Sequence, residues 1–190
     1  MSRETWDGEA ASFDDEPDHG LADPNTRAAW RDLLLGVLPP APARVADLGC
    51  GTGTLARVLV DAGYAVDGLD FSPEMIVRAQ VKVPEARFVI DDAADPDLTE
   101  ATYDVVLCRH VLWALPDPEA VVKRWSRLLA LGGSLVLIEG SWATGAGLSA
   151  REAQRIVRTT RLEAEVTPLP QAVYWGKEID DERYLLVSRR

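Results

Sequence analysis

Apolar residues recur along the chain in two alternating rhythms. Short continuous runs such as Val105-Val106-Leu107 and Leu135-Val136-Leu137-Ile138 read as strands covered on both faces, since only a packed layer on each side hides every side chain. Seven strands are predicted, over 44–48, 65–69, 86–90, 103–108, 134–139, 162–167 and 183–188. Between them the apolar positions change to helical spacing: Leu55, Val58, Leu59 and Ala62 make one stripe, as Trp30, Leu33, Leu34, Val37 and Leu38 do earlier. Local signals bracket the helices. Asp23-Pro24 opens a helix over 24–38, which the Pro39-Pro40-Ala41-Pro42 run cannot continue. Ser72-Pro73 opens another, Asp117-Pro118 a third that is expected to end at Gly132-Gly133, and Ser149 with Glu152 forms a capping box.

Strands alternating with helices predict an α/β fold with a mainly parallel sheet and helices on both faces. The last two strands follow one another with no helix signal between them, so they are expected to pair antiparallel and close one edge. A length of 190 residues suits a single domain. Its expected parts are an acidic arm with a lid role open to it over 1–23, a leading helix and linker over 24–42, a ligand-binding core over 43–139, and a helix with the closing strand pair over 140–190.

Charge narrows the partners. A formal net charge of −11 repels a phosphate backbone, so no nucleic-acid partner is expected. No run of about 18 apolar residues exists to span a membrane. No apolar segment follows Arg3 near the start, so a cytoplasmic location is expected. Glu4, Asp7, Glu9, Asp14, Asp15, Glu16, Asp18 and Asp23 face only Arg3 before the first firm helix, and that composition reads as a solvated, partly mobile arm. Cys50 and Cys108 form no CxxC and, with His19 and His110, make a poor ligand set, so reduced thiols and no metal are expected.

The chemistry gathers where strands end and helices begin, outside the carboxyl edge of the sheet. In Asp47-Leu48-Gly49-Cys50-Gly51-Thr52-Gly53-Thr54, three glycines permit a tight turn and close backbone approach to a ligand at a helix start. A dinucleotide fingerprint needs its third glycine at position 54, which is Thr54; here it falls at Gly53. Asp47 suits a ligand carrying an ammonium group better than one carrying a pyrophosphate. Asp70, at the end of the second strand, can accept hydrogen bonds from both hydroxyls of a ribose.

The D-x-G-x-G-x-G arrangement resembles motif I of the class I S-adenosylmethionine-dependent methyltransferases. Phe88-Val89-Ile90-Asp91-Asp92-Ala93 resembles that family's adenine-binding corner, and Tyr103 to Leu115 resembles the segment lining the methyl-donor end. The similarity is to the small bacterial members related to the ubiquinone-biosynthesis type, also called methyltransferase type 11. It implies a Rossmann-like seven-stranded sheet in the order 3-2-1-4-5-7-6 with the last strand antiparallel. It also implies S-adenosyl-L-methionine as cofactor and in-line methyl transfer to a small-molecule metabolite, with a role in secondary metabolism. The cofactor-binding residues implied are Asp47, Gly49, Cys50, Gly51, Thr52, Gly53, Asp70, Phe71, Met75, Asp92, Ala93, Cys108 and Arg109. A monomer or homodimer is expected.

His19 and His110 are the only histidines, hence the only side chains that titrate near neutrality unperturbed, and one of them is expected to assist deprotonation of the acceptor. The competing reading of His110 is a hydrogen-bonded wall residue, and of His19 a surface residue. Among six tryptophans, Trp30 and Trp125 fall on apolar stripes and read as core. Trp113, Trp142 and Phe13 are candidates for an aromatic substrate wall, Trp142 within a glycine-rich stretch suited to a gate. Trp175 reads as loop packing. Cys50 and Cys108 read as small residues beside the cofactor. Two other readings share parts of the pattern: a nicotinamide-dependent reductase, and a module that binds S-adenosylmethionine without catalysis.

Overall fold

The computed structural model describes residues 2–189. Its strands are β1 (Arg44–Leu48), β2 (Ala65–Asp70), β3 (Arg87–Ile90), β4 (Tyr103–Arg109), β5 (Leu129–Ser141), β6 (Glu165–Pro168) and β7 (Glu182–Ser188). They form one sheet in the order β3-β2-β1-β4-β5-β7-β6, parallel from β3 through β5, with β7 antiparallel to both its neighbours. The helices are α1 (Arg3–Glu9), α2 (Pro17–Gly20), α3 (Pro24–Val37), α4 (Thr54–Asp61), α5 (Pro73–Lys82), α6 (Pro118–Leu128), α7 (Ala150–Val157) and α8 (Ala172–Trp175).

Successive strand residues point to opposite faces, and the buried side chains sort into two cores accordingly. Val45, Val105, Leu107 and Ile138 pack with Trp30 and Leu34 of α3, Leu55 and Leu59 of α4, and Ile76 of α5. Ala46, Leu48, Val106 and Leu137 pack with Val121 and Trp125 of α6 and Ile156 of α7. Each fully buried aliphatic side chain of this kind contributes roughly 1.5–3 kcal/mol. Trp30 and Trp125 are core residues with satisfied indoles: Trp30 Nε1 donates to the Tyr174 carbonyl and Trp125 Nε1 to that of Ala93, both at 2.7 Å.

Register positions the site. Leu48 pairs with Leu69 on one side and Cys108 on the other, and Arg109 pairs with Ile138. The carboxyl ends of β1, β2, β4 and β5 therefore present Gly49, Asp70, Arg109 and Glu139 along one edge.

Three expectations are corrected. The acidic arm is folded: α1 is capped by Ser2, a 3₁₀ turn spans Phe13–Asp15, α2 follows, and Ala10 and Leu21 are buried. Its acids find partners far along the chain, which composition cannot reveal. Second, a helical turn, α8, lies between β6 and β7, and β6 begins at Glu165 and not at 162. Trp175 thus lies in a helix and is fully buried, with Nε1 donating to the Leu169 carbonyl at 2.8 Å. Third, α6 ends at Leu128 and β5 starts at Leu129, so Gly132 and Gly133 lie inside a strand. The reason is steric at Gly133, where a Cβ would stand 2.9 Å from the Tyr103 carbonyl oxygen.

Candidate active site

The loop leaving β1 is built by its glycines. Gly49, Gly51 and Gly53 have φ of 74°, 54° and 78°, a left-handed region that side chains disfavour. Gly49 is also crowded, since a Cβ there would approach Val111 Cγ2 to 2.4 Å. The N–H groups of Gly49 and Cys50 both donate to the Leu69 carbonyl, at 2.8 and 2.9 Å. This fastens the loop to β2 before α4 begins.

Beside this loop lies a cavity of about 350 Å³ lined by residues from β1, β2, β4, their exit loops and the arm. Asp47 lines it, is 2% exposed, and has a buried Oδ2 with no hydrogen-bond partner. Burial drives its carboxyl up to about 7, with the Arg109 guanidinium working against that rise and Asp70 adding to it. Asp70 Oδ1 accepts from Ser72 N at 2.9 Å and Oδ2 from Gly51 N at 3.0 Å. Burial raises its pKa, and those two N–H groups partly offset the rise. Across the cavity, Asp92 is exposed and Oδ1 accepts from Ala94 N at 2.8 Å, while Ala93 is buried.

The arm closes another side. Trp6, Phe13 and His19 line the cavity, with Phe13 and His19 stacked at 4.2 Å between centroids. Asp14 accepts from Thr52 Oγ1 at 2.6 Å and pairs with Lys82 Nζ at 2.7 Å. Asp7 accepts from Ser72 Oγ at 2.5 Å. Arg109, whose guanidinium lies over Trp30 at 4.8 Å, donates to the Asp18 carbonyl.

His110 follows β4 with φ 58°. Its N–H donates to the Ile138 carbonyl at 2.9 Å, its ring stacks on Trp175 at 5.8 Å and meets Trp142 edge-on at 5.3 Å, and Nε2 has no partner. Burial, and then the positive charges of Arg109 and Arg183 with His19 nearby, hold its pKa well below the usual histidine value. The imidazole is therefore neutral at pH 7. His19 is also lowered, by burial first and by Arg109, against the pull of Asp18.

Of the residues singled out from sequence, the structure brings Asp47, Gly49, Cys50, Gly51, Thr52, Asp70, Phe71, Met75, Asp92, Ala93, Arg109, Phe13, His19 and His110 to the cavity wall. Gly53 and Cys108 stand behind it, and Trp113 and Trp142 pack on each other at 5.3 Å outside it. Trp142 is held in a turn, its N–H on the Ala146 carbonyl at 2.9 Å, with the Arg183 guanidinium over its ring. Trp6, a candidate lid anchor with Phe13 on the sequence alone, also lines the cavity, whereas sequence reasoning missed Lys82 and Glu139. For Glu139 a signal existed: an acid directly after four apolar residues of a covered strand must find a buried partner. Both cysteines are free thiols with pKa pushed well up by burial, so neither is an activated nucleophile. Among the described residues no group of three or more His, Cys, Asp or Glu could hold a metal ion, and no helix is long and apolar enough to cross a membrane.

These residues fit a cationic adenosyl ligand. Asp47 offers an unpaired carboxylate oxygen, Asp70 a carboxylate at the strand end, and the glycine turn leaves the space a side chain would fill. Residues 46–137 match the family described as Methyltransferase domain. Over 120 residues the chain is 41% identical to trans-aconitate 2-methyltransferase of Methylobacterium nodulans, covering 62% of this chain and 45% of that protein. Over 111 residues it is 33% identical to the ubiquinone biosynthesis O-methyltransferase of Xanthomonas oryzae pv. oryzae, covering 56% and 46%. The chain thus spans about half the length of the curated relatives it matches. A TehB-like SAM-dependent methyltransferase structure from Corynebacterium glutamicum superposes with a TM-score of 0.70 at 23% identity, covering 98% of this chain and 95% of the other. The match to a methyltransferase domain thus covers residues 46–137, a little under half of the chain, and the curated proteins similar to it over that stretch are methyltransferases.

Proposed function

We propose that this chain is an enzyme that transfers the methyl group of S-adenosylmethionine to a small-molecule acceptor. The observation that carries the reading is Asp47, a buried carboxylate with an unpaired oxygen beside three left-handed glycines and the ribose-type acid Asp70. The donor supplies an electrophilic methyl group on a sulfonium centre. Asp47 receives the ligand's ammonium group, Gly49 and Gly51 admit its backbone-close portion, Asp70 accepts from hydroxyls, and Asp92 with Ala93 borders the base. Phe71 and Met75 supply apolar cover, and the arm over 2–23 shields the ligand from water through Trp6 and Phe13.

At the other end His110 is neutral, with an unpartnered Nε2, so it can take a proton from a hydroxyl acceptor. His19 also lines the cavity, its pKa lowered chiefly by burial, and offers a second imidazole acceptor. Two relatives, trans-aconitate 2-methyltransferase and ubiquinone biosynthesis O-methyltransferase, are named for small molecules, which supports that acceptor class. The acidic balance of the chain disfavours nucleic acid. Two free thiols, Cys50 half-buried and Cys108 buried, support a cytoplasmic setting. The test is incubation with methyl-labelled S-adenosylmethionine and a panel of small carboxylic acids and phenols. Labelled product with stoichiometric S-adenosylhomocysteine is expected. Tight donor binding with no transfer across the panel would favour a non-catalytic module.

A further inference from the structure

We propose that Glu139 is a positioning residue that holds the turn after β4 in its left-handed shape and so fixes the imidazole of His110 at the cavity wall. Its catalytic meaning rests on the methyltransferase reading above; its structural claim does not.

Glu139 is fully buried near the end of β5. Oε1 accepts from Val111 N at 3.1 Å and Leu112 N at 2.8 Å, and Oε2 has no partner. Those two N–H groups open the 3₁₀ turn Leu112–Ala114, and without the Glu139 oxygen both would lose the acceptor they share, Leu112 N in a buried setting and Val111 N in a part-buried one. Directly before them stands His110 at φ 58°, a conformation that a side chain adopts only when its surroundings impose it. Strand β5 imposes it from both sides: the Ile138 carbonyl accepts from His110 N at 2.9 Å, and Glu139 takes the next two N–H groups. The same turn carries Val111, whose Cγ2 crowds Gly49. One carboxylate therefore ties the imidazole and the cover of the glycine loop to a single strand.

The titratable and charged groups around Glu139 are Cys108 of β4 and Tyr184 of β7; those around His110 are Arg109, Arg183 and His19. Burial raises Glu139 to about 8, so near neutrality its protonated carboxyl still offers an acceptor oxygen, which Glu139→Gln reproduces. Glu139→Leu removes the acceptor. Glu139→Asp withdraws it by one carbon and is gentler on the fold.

With only two histidines, imidazole nitrogens labelled with ¹⁵N report the outcome by NMR, and His19→Gln assigns them. The wild type and Glu139→Gln are expected to hold the His110 midpoint well below the ordinary histidine value. In Glu139→Asp and Glu139→Leu the freed ring is expected to titrate, its midpoint rising towards the ordinary value of about 6.5. If Glu139→Leu fails to fold, Glu139→Asp against Glu139→Gln decides. An unmoved His110 in Glu139→Asp, or equal release in Glu139→Gln, overturns the proposal. Calorimetry of wild-type protein with S-adenosylhomocysteine runs alongside: no binding there defeats the methyltransferase reading while the histidine titration still decides the role of Glu139.

Discussion

Asp14 and Lys82 meet at 2.7 Å, joining the acidic arm to the end of α5, and Lys82 also donates to Thr52 and Thr54 of the glycine loop at 2.9 and 2.8 Å. The arm is thus fastened to the segment that would hold the donor. Asp14→Asn is expected to speed amide hydrogen exchange and proteolysis over residues 2–20 and to accelerate release of S-adenosylhomocysteine. Burial opposes the charge on Asp14, but hydrogen bonds from Lys82 and Thr52 win and lower its pKa below the ordinary 3.8. The contribution is present above that value and lost as pH falls through the folded-state value. Equal exchange in wild type and variant would show that the pair does not hold the arm.

Two buried acids give the opposite pH trend. Burial raises Asp47 from 3.8 to about 7 and Glu139 from 4.5 to about 8. Each favours the fold while it can stay protonated, so its contribution is intact below the unfolded-state pKa and fades as pH climbs through the folded-state value. The melting temperature of the ligand-free protein is expected to fall between about pH 7 and 8, above the range in which the two lowered histidines oppose the trend. Asp47→Asn and Glu139→Gln should each flatten that fall. A wild-type melting temperature that climbs steadily over the same range would contradict it.

Trp175 is expected to be the costliest single truncation. It is fully buried, stacks on His110, meets Trp30 edge-on at 5.5 Å and lies under the Arg183 guanidinium. Trp175→Ala should cost about 3–5 kcal/mol in denaturant unfolding. Trp175→Phe should cost less, since it keeps the ring and loses the bond to Leu169. Equal losses would mean that the indole N–H, and not the stack, dominates.

His110→Ala is expected to slow transfer to a hydroxyl acceptor by roughly 10²–10⁴-fold and to leave the dissociation constant of S-adenosylhomocysteine nearly unchanged. His19→Ala reports whether the second imidazole shares the task. Undiminished turnover in both variants would rule out a histidine base.

The sheet and the glycine turn were legible in the sequence because both rest on local pattern. Apolar runs mark β1, β4 and β5 whatever surrounds them, and Asp47, Gly49 and Gly51 sit in one short segment. What escaped depends on partners distant in the chain. The arm looks solvated until Asp14 finds Lys82 and Asp7 finds Ser72. Helix α8 has four residues, too few for any periodicity to show. Trp142 sits in a glycine-rich stretch that reads as a gate, yet tertiary packing against His110, Trp113 and Arg183 holds it in place. Tyr103 to Leu115 marked the right strand exit, but Glu139, which shapes that exit, comes from another strand.

The most direct measurement is isothermal calorimetry with S-adenosylhomocysteine and, separately, NADH, on wild-type protein and Asp47→Asn. The adenosyl ligand should bind the wild type, tighten as pH rises through about 7 where Asp47 becomes charged, and lose affinity and that pH dependence in Asp47→Asn, with no heat from NADH. Binding of NADH without S-adenosylhomocysteine would contradict the assignment of this pocket.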